Sequence, residues 1–177
     1  MEFSALVKLR QSDRKYEARG VEKEKIIRCL ETARLAPSAN NSQPWKFVVV
    51  DQPELKEQVA ECAVSVELNK FTHQAPVIVA VVQEKVNMLS GMGSVIQDKE
   101  YALLDLGIAV NQFCLQAAEL GLGSCIVGWF NEAKVKSLLN VPAKKRVPLL
   151  ITLGYSVAKT REKSRKKLEE ISNWNSY

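Results

Sequence analysis

Tyr101-Ala-Leu-Leu-Asp-Leu-Gly-Ile-Ala-Val-Asn-Gln-Phe-Cys-Leu-Gln-Ala-Ala-Glu-Leu120 reads as one helix. Its polar residues Asp105, Gln112, Gln116 and Glu119 form a narrow stripe, and nearly everything else is apolar or small. A helix apolar over most of its surface is buried, either inside the domain or at a subunit contact. At 1.5 Å per residue it is about 30 Å long. A chain of 177 residues has little interior for such a helix. The pattern therefore predicts a dimer with this helix near its centre.

Working outward towards the C-terminus, Gly121 and Gly123 end the helix. A short strand over 124–127 is closed by Gly128, and Asn131 caps a helix through Leu139 that Pro142 stops. Residues 148–153 form the last clear strand, and 159–171 a basic, partly helical tail. Towards the N-terminus, Gly91, Met92 and Gly93 mark 86–98 as a mobile loop or lid. The unbroken apolar run 77–82 is a strand buried on both faces. Pro53 opens a helix running to about Glu67, and 47–50 is a short buried strand. Residues 36–45 are a polar loop, 21–36 a helix ended by Pro37, and 2–9 a short helix. Helices and single strands alternate, which indicates a layered α/β or α+β domain.

The length suits one domain spanning 1–177, with 159–177 as its tail. An apolar fraction of 46% and a charged fraction of 25% are ordinary for a globular chain and argue against disorder. There is no run of 18 apolar residues and no basic start followed by an apolar stretch. The expectation is a cytoplasmic protein with no membrane partner. Cys29, Cys62, Cys114 and Cys125 lack the close spacing of a zinc or redox site and are expected to be reduced and mostly buried. The net charge of +5 is concentrated in 8–19 and 159–167, which implies an anionic partner: nucleic acid, a membrane surface or a phosphorylated small molecule.

The usual catalytic constellations are absent. There is no Gly-x-Gly-x-x-Gly, Walker loop or Gly-x-Ser-x-Gly elbow, and the single histidine, His73, reads as structural or exposed. If the chain is an enzyme, a cofactor carries the chemistry. Four segments stand out. Arg10-Gln11-Ser12-Asp13-Arg14 places two guanidiniums and a hydroxyl where they suit a phosphate. The loop Ala36-Pro37-Ser38-Ala39-Asn40-Asn41-Ser42-Gln43-Pro44-Trp45 is stiffened by prolines and rich in amides, which both donate and accept, as a flavin's pyrimidine edge requires. Gly121 to Trp129 lets a ligand approach the backbone closely. Lys163-Ser164-Arg165 could close over a phosphate or bind nucleic acid. Each also has an ordinary reading: a solvated helix end, a hydrated loop, turn punctuation and a solvated charge run.

Taken in order, these segments resemble the FMN-dependent nitroreductase family over about residues 5–171. The proline-flanked loop ending Asn41-Ser42-Gln43-Pro44-Trp45 carries most of the resemblance, and Arg10, Ser12 and Arg14 come second. The resemblance implies an α+β fold, a three-layer α/β/α sandwich around a mostly antiparallel sheet, in an intertwined homodimer with FMN at the subunit interface. It implies that Arg10, Ser12 and Arg14, with Gln11 between them, meet the phosphate and the N1–O2 side of the ring. Pro37, Ser38, Ala39 and Asn41 would come from the other subunit, with Gln43 supporting that loop. Ile126, Val127 and Gly128 would lie against the ring, with the Gly128 N–H near N5, and Lys163 and Arg165 would close on the phosphate. Asn69 and Lys70 are further contacts the resemblance suggests. Val127 stands where many relatives carry an acidic residue, which alters polarity beside N5.

The activity implied is an oxidoreductase. Hydride passes from NADH or NADPH through flavin N5 to a nitroaromatic, quinone or similar planar small-molecule acceptor, in ping-pong turnover. An arginine near N1–O2 stabilises the reduced ring's negative charge. Dehydrogenation and dehalogenation on the same scaffold are the alternatives. A non-enzymatic nucleic-acid-binding domain is the reading least supported, because the aromatic fraction is only 7% and no aromatic platform accompanies the tail.

Overall fold

A computed structural model describes residues 1–65, 68–87, 90–92 and 99–177. In chain order its elements are α1 (Phe3–Leu9), α2 (Lys23–Arg34), β1 (Trp45–Val50), α3 (Pro53–Ala63), β2 (Val77–Gln83), α4 (Tyr101–Glu119), β3 (Gly123–Val127), α5 (Glu132–Leu138) and β4 (Arg146–Gly154). Short 3-10 turns occupy Ala39–Asn41, Lys70–Gln74 and Leu168–Glu170.

The strand β2 shows why the molecule has three layers. Its side chains alternate between two faces, as the pleat requires, and both faces are apolar. Val77, Val79 and Val81 join Ile151 and Leu153 of β4 against α2 and α4, where Cys29, Val110 and Phe113 are buried. Ile78, Ala80 and Val82 join Leu150 of β4 against α3 and α5, where Val59, Ala63 and Val135 are buried. The sheet order is β1-β2-β4-β3, with every neighbouring pair antiparallel. The architecture is thus an antiparallel α/β/α sandwich.

Pro148 lies inside β4, a central strand, where proline removes a ladder donor. The register between β2 and β4 slips there: Val81 faces Leu149 and Gln83 faces Arg146, so Val147 and Pro148 together oppose Val82. β3 pairs with β4 only as far as Leu150. The proline therefore sits in a bulge, beyond the end of the neighbouring strand.

Two expectations need adjusting, and a third goes largely untested. The helix opened by Pro53 stops at Ala63 rather than near Glu67, because Val64 is extended (φ −76°, ψ 133°) and Ser65 and Leu68 exchange backbone hydrogen bonds. The basic tail is non-helical from 159 to 167, with one 3-10 turn at Leu168–Glu170. Six like charges close together along the chain disfavour a helix there. The loop or lid read over 86–98 falls largely outside the described residues.

The helix α4 spans the length its sequence pattern indicates. One face packs on the sheet, while Leu103, Leu104 and Ile108 are 45%, 59% and 42% exposed on the single chain. Among the described residues, no helix is long and apolar enough to cross a membrane.

Candidate anion and cofactor site

The helix α1 ends at Leu9, and the Arg10 N–H closes its last turn on the Leu6 carbonyl at 2.9 Å. The chain then lies alongside the edge strand β3, where Ser12 pairs in parallel with Ser124 and the Asp13 N–H donates to the Ser124 carbonyl at 2.9 Å. Gly123 permits this approach. A Cβ there would stand 2.7 Å from the Ser156 Cβ and 2.9 Å from the Asp13 Cβ. The Tyr16 hydroxyl, 2.7 Å from both the Asp13 carbonyl and the Thr152 Oγ1, fixes the segment from below. Burial raises the Tyr16 phenol well above its ordinary pKa, so it remains a donor. Arg14 is held over the Phe71 ring, 5.8 Å from its centroid.

The tail folds back onto this segment. The Gln11 side chain donates to the Lys159 carbonyl (3.2 Å) and accepts from the Arg161 N–H (3.0 Å). Arg161 Nη2 donates to the Ser12 carbonyl at 2.8 Å, and the Lys163 ammonium donates to the Lys8 carbonyl. Arg10, Arg14, Arg161, Lys163 and Arg165 thereby line one cavity of about 300 Å³. Lost hydration, and then the charges of Arg10, Arg165 and Arg161, push the Lys163 ammonium below its ordinary pKa, with Asp13 opposing. Five cations and one carboxylate, Glu162, line this small space, with the buried Asp13 carboxylate behind it, so the cavity is strongly positive. Arg161 escaped the sequence reading, although it stands two residues before Lys163 in the same charge run.

Beside this cavity, β3 turns Ile126 and Gly128 to the outside, with Ile126 43% exposed. Val127 points the opposite way, into the cluster beneath α3 and α5. Only its backbone reaches the outer side, so the apolar side chain does not change polarity there. A Cβ on Gly128 would meet nothing nearer than Leu149 Cδ2 at 3.8 Å. A methyl group would thus fit at this glycine in ordinary contact. Asn69 donates to the Trp129 carbonyl (3.0 Å) and the Ala63 carbonyl (3.2 Å), so it braces the turn after Gly128, and Lys70 opens the following 3-10 turn.

The proline-flanked loop is a separate, rigid body. Asn40, Asn41 and Gln43 have φ of 48°, 53° and 47°, the left-handed region that side chains other than glycine rarely adopt. Local bonds hold this strain. The Ser38 hydroxyl accepts from the Gln43 N–H at 2.9 Å, and the Gln43 amide donates to Asn41 Oδ1 at 3.0 Å. The Ala39 N–H donates to both carboxylate oxygens of Asp105 at 3.2 and 3.1 Å, and the Ala39 carbonyl accepts from the Ser90 hydroxyl at 2.8 Å. Asp105 is thus a buried anchor at one end of the polar stripe. As the one acid in an otherwise apolar stretch of helix, it was the available signal.

The two bodies do not meet within one chain. Ala39 is tied to Asp105 at the start of α4, whereas Arg10 and Gln11 border a cleft lined by Ala118 and Leu122 at its end. Asp105 and Ala118 are about 20 Å apart by helical rise.

Elsewhere, His73 bridges two carboxylates on α3, with Nδ1 2.5 Å from Glu57 and Nε2 3.3 Å from Glu61. All four cysteines are free, and three are buried. Burial pushes the Cys29 thiol up to about 12, so it is not a nucleophile at neutral pH.

The chain is an antiparallel α/β/α sandwich with an arginine-lined cavity beside its edge strand and a strained amide loop near the start of its long helix. The nitroreductase family profile matches residues 7–69 and 63–155, and the chain belongs to this family of oxidoreductases. An oxygen-insensitive NADPH nitroreductase of Helicobacter pylori is 31% identical, the match covering 92% of this chain and 89% of that protein. A Thermus thermophilus protein named NADH dehydrogenase is 27% identical over 93% of this chain and 92% of its own length. Among solved structures, an FMN-dependent nitroreductase from Clostridium difficile superposes with a TM-score of 0.79 at 28% identity, covering 99% of this chain and all of that one. A nitroreductase family protein from Streptococcus pneumoniae gives a TM-score of 0.84 at 27% identity, covering 97% and 99%.

Proposed function

We propose that the chain is a homodimeric FMN-dependent oxidoreductase that carries reducing equivalents from NADPH or NADH to a nitroaromatic, quinone or similar planar acceptor in ping-pong turnover. The observation that carries this reading is the pair of half-sites about 20 Å apart on one helix. One is cationic and open beside a glycine; the other is a rigid display of amides. In an antiparallel pair of chains, each loop sits against the partner's arginines. The exposed Leu103, Leu104 and Ile108 of α4 supply an apolar surface for that pairing.

The residues fit the cofactor. Arg10, Arg14, Arg161, Lys163 and Arg165 hold its phosphate, and Ser12 adds a hydroxyl. The space above Gly128 lets the ring lie against the backbone of Ile126, Val127 and Gly128. Ser38 and Asn41 of the loop present a hydroxyl and a side-chain amide to the ring's polar edge, Pro37 and Ala39 shape the backbone beside it, and Gln43 keeps Asn41 in place. Bound flavin supplies hydride exchange, which is why the chain needs neither a nucleophile nor a general acid–base pair. The cytoplasm is the compartment this reading assigns, since NADPH and NADH are held there and the thiols are free.

The test is the visible spectrum of protein mixed with FMN and freed of excess. A retained flavin band that bleaches with NADPH or NADH, and recovers on adding a nitroaromatic or quinone, is the expected result. Loss of the band with the excess would overturn the assignment and return the basic segments to a nucleic-acid partner, whose binding would fall steeply with salt.

A further inference from the structure

We propose that Gln11 is a positioning residue rather than a cofactor contact. Its side-chain amide holds residues 159–161 against the Arg10–Arg14 turn and so sets the spacing between the two halves of the cationic cavity. This rests on the flavin reading for its ligand, but not for its geometry.

Both ends of the amide are engaged within the chain. Nε2 donates to the Lys159 carbonyl at 3.2 Å, and Oε1 accepts from the Arg161 N–H at 3.0 Å. Taking the carbonyl of one residue and the N–H of the residue two further on is what a parallel strand does across its neighbour. The Gln11 amide thus stands in for a strand residue opposite Thr160. Among the described residues, the regular backbone pairing after β4 ends with the Tyr16–Ser156 bridge and the Val157 N–H to Lys15 carbonyl bond, so Gln11 takes over where that pairing stops.

Asp13 sets which way the amide faces. Its Oδ1 accepts from Gln11 Nε2 at 3.0 Å and from the Ser156 hydroxyl at 2.6 Å, and Ser156 Oγ in turn accepts from the Ala158 N–H at 3.1 Å. Asp13 is only 6% exposed. A flipped amide would point its oxygen at a buried carboxylate and present its NH₂ to the Arg161 N–H, so one orientation alone fits. Arg161 completes the clasp by donating from Nη2 to the Ser12 carbonyl at 2.8 Å. Without it, a tail carrying Arg161, Lys163 and Arg165 would have to approach Arg10 and Arg14 against like charge.

A phosphate-specific effect separates positioning from ring contact. We compare FMN with riboflavin, which has the same ring and no phosphate, by titration against Gln11→Ala and Gln11→Glu in the full chain. Trypsin cleavage within 159–167 is followed without ligand. Gln11→Ala should weaken FMN by about tenfold, the scale of a few lost hydrogen bonds. Riboflavin affinity should stay within about twofold, and the tail should be cut faster. Gln11→Glu keeps the length but loses the donor beside Asp13, and should behave alike; it serves if the alanine variant does not fold. Equal losses for FMN and riboflavin, or an unchanged cleavage rate, would overturn the proposal. If wild-type protein binds neither flavin, the functional reading fails separately, and the cleavage rates still decide the role of Gln11.

Discussion

Gly128 is a residue of the candidate site whose identity the fold itself does not demand. Its backbone needs no left-handed φ, and a Cβ would rest 3.8 Å from Leu149. Gly128→Ala should therefore leave the thermal midpoint within about 2 °C of wild type. If the ring lies on this strand, the same methyl group should lower flavin affinity by about tenfold or more. Thermal unfolding and a flavin titration on one preparation check both halves. At this scale the sequence disclosed the residue types that could serve a flavin but not the contacts that hold them. Arg10, Ser12 and Arg14 stood out as a candidate phosphate grip only in company with the later segments, because alone they read equally as a solvated helix end. Asp105 did not stand out, because its partner is the backbone of Ala39, 66 residues away. Arg161 was hidden for a different reason: within a basic run nothing local tells a bound cation from a solvated one.

At the scale of elements, α4 carries the sheet's inner face. Phe113 on α4 is fully buried and stacks on Phe47 of β1, with ring centroids 6.0 Å apart. Phe113→Ala should cost about 3–5 kcal/mol of stability, measured by denaturant unfolding. The opposite face is pinned by Glu132 at the start of α5. Its carboxylate takes Arg146 Nε at 2.8 Å and Nη2 at 2.9 Å, and the Val147 N–H at 2.8 Å. Arg146, followed by the Val147 amide, holds the Glu132 carboxyl below its ordinary pKa against the effect of desolvation. A carboxyl with a depressed folded pKa adds stability above its unfolded pKa and loses it as pH falls through the folded value. Glu132→Gln should thus lower the melting temperature at pH 7, with the gap to wild type closing as pH drops below about 4. These elements were readable because periodicity survives folding: the unbroken run of β2 and the apolar bulk of α4 each have one physical solution. The end of α3 and the course of the tail were not, because backbone turns at Ser65 and the long-range bonds of Gln11 to residues 159–161 decide them.

At the scale of the molecule, the sandwich places its two half-sites at opposite ends of α4, so the account stands or falls on a site shared between chains. The apolar excess of α4 led to the expectation of a partner from sequence, and on the single chain its Leu104 is exposed. What no sequence pattern could show is the distance: the arginine turn and the amide loop are neighbours in the chain, with Arg14 and Pro37 only 23 residues apart, yet α4 holds them apart. Mixing two defective proteins tests this directly. One variant, Arg10→Ala with Arg14→Ala, lacks the phosphate grip. The other, Asn41→Ala, strains the loop at φ 53°. Each alone should fail to retain FMN. Co-folded in equal amounts, half the dimers are mixed, and each mixed dimer combines one intact site with one doubly damaged site, so about a quarter of all sites should bind flavin. Recovery near that fraction is the result the account predicts, and no recovery above the separate variants would contradict it.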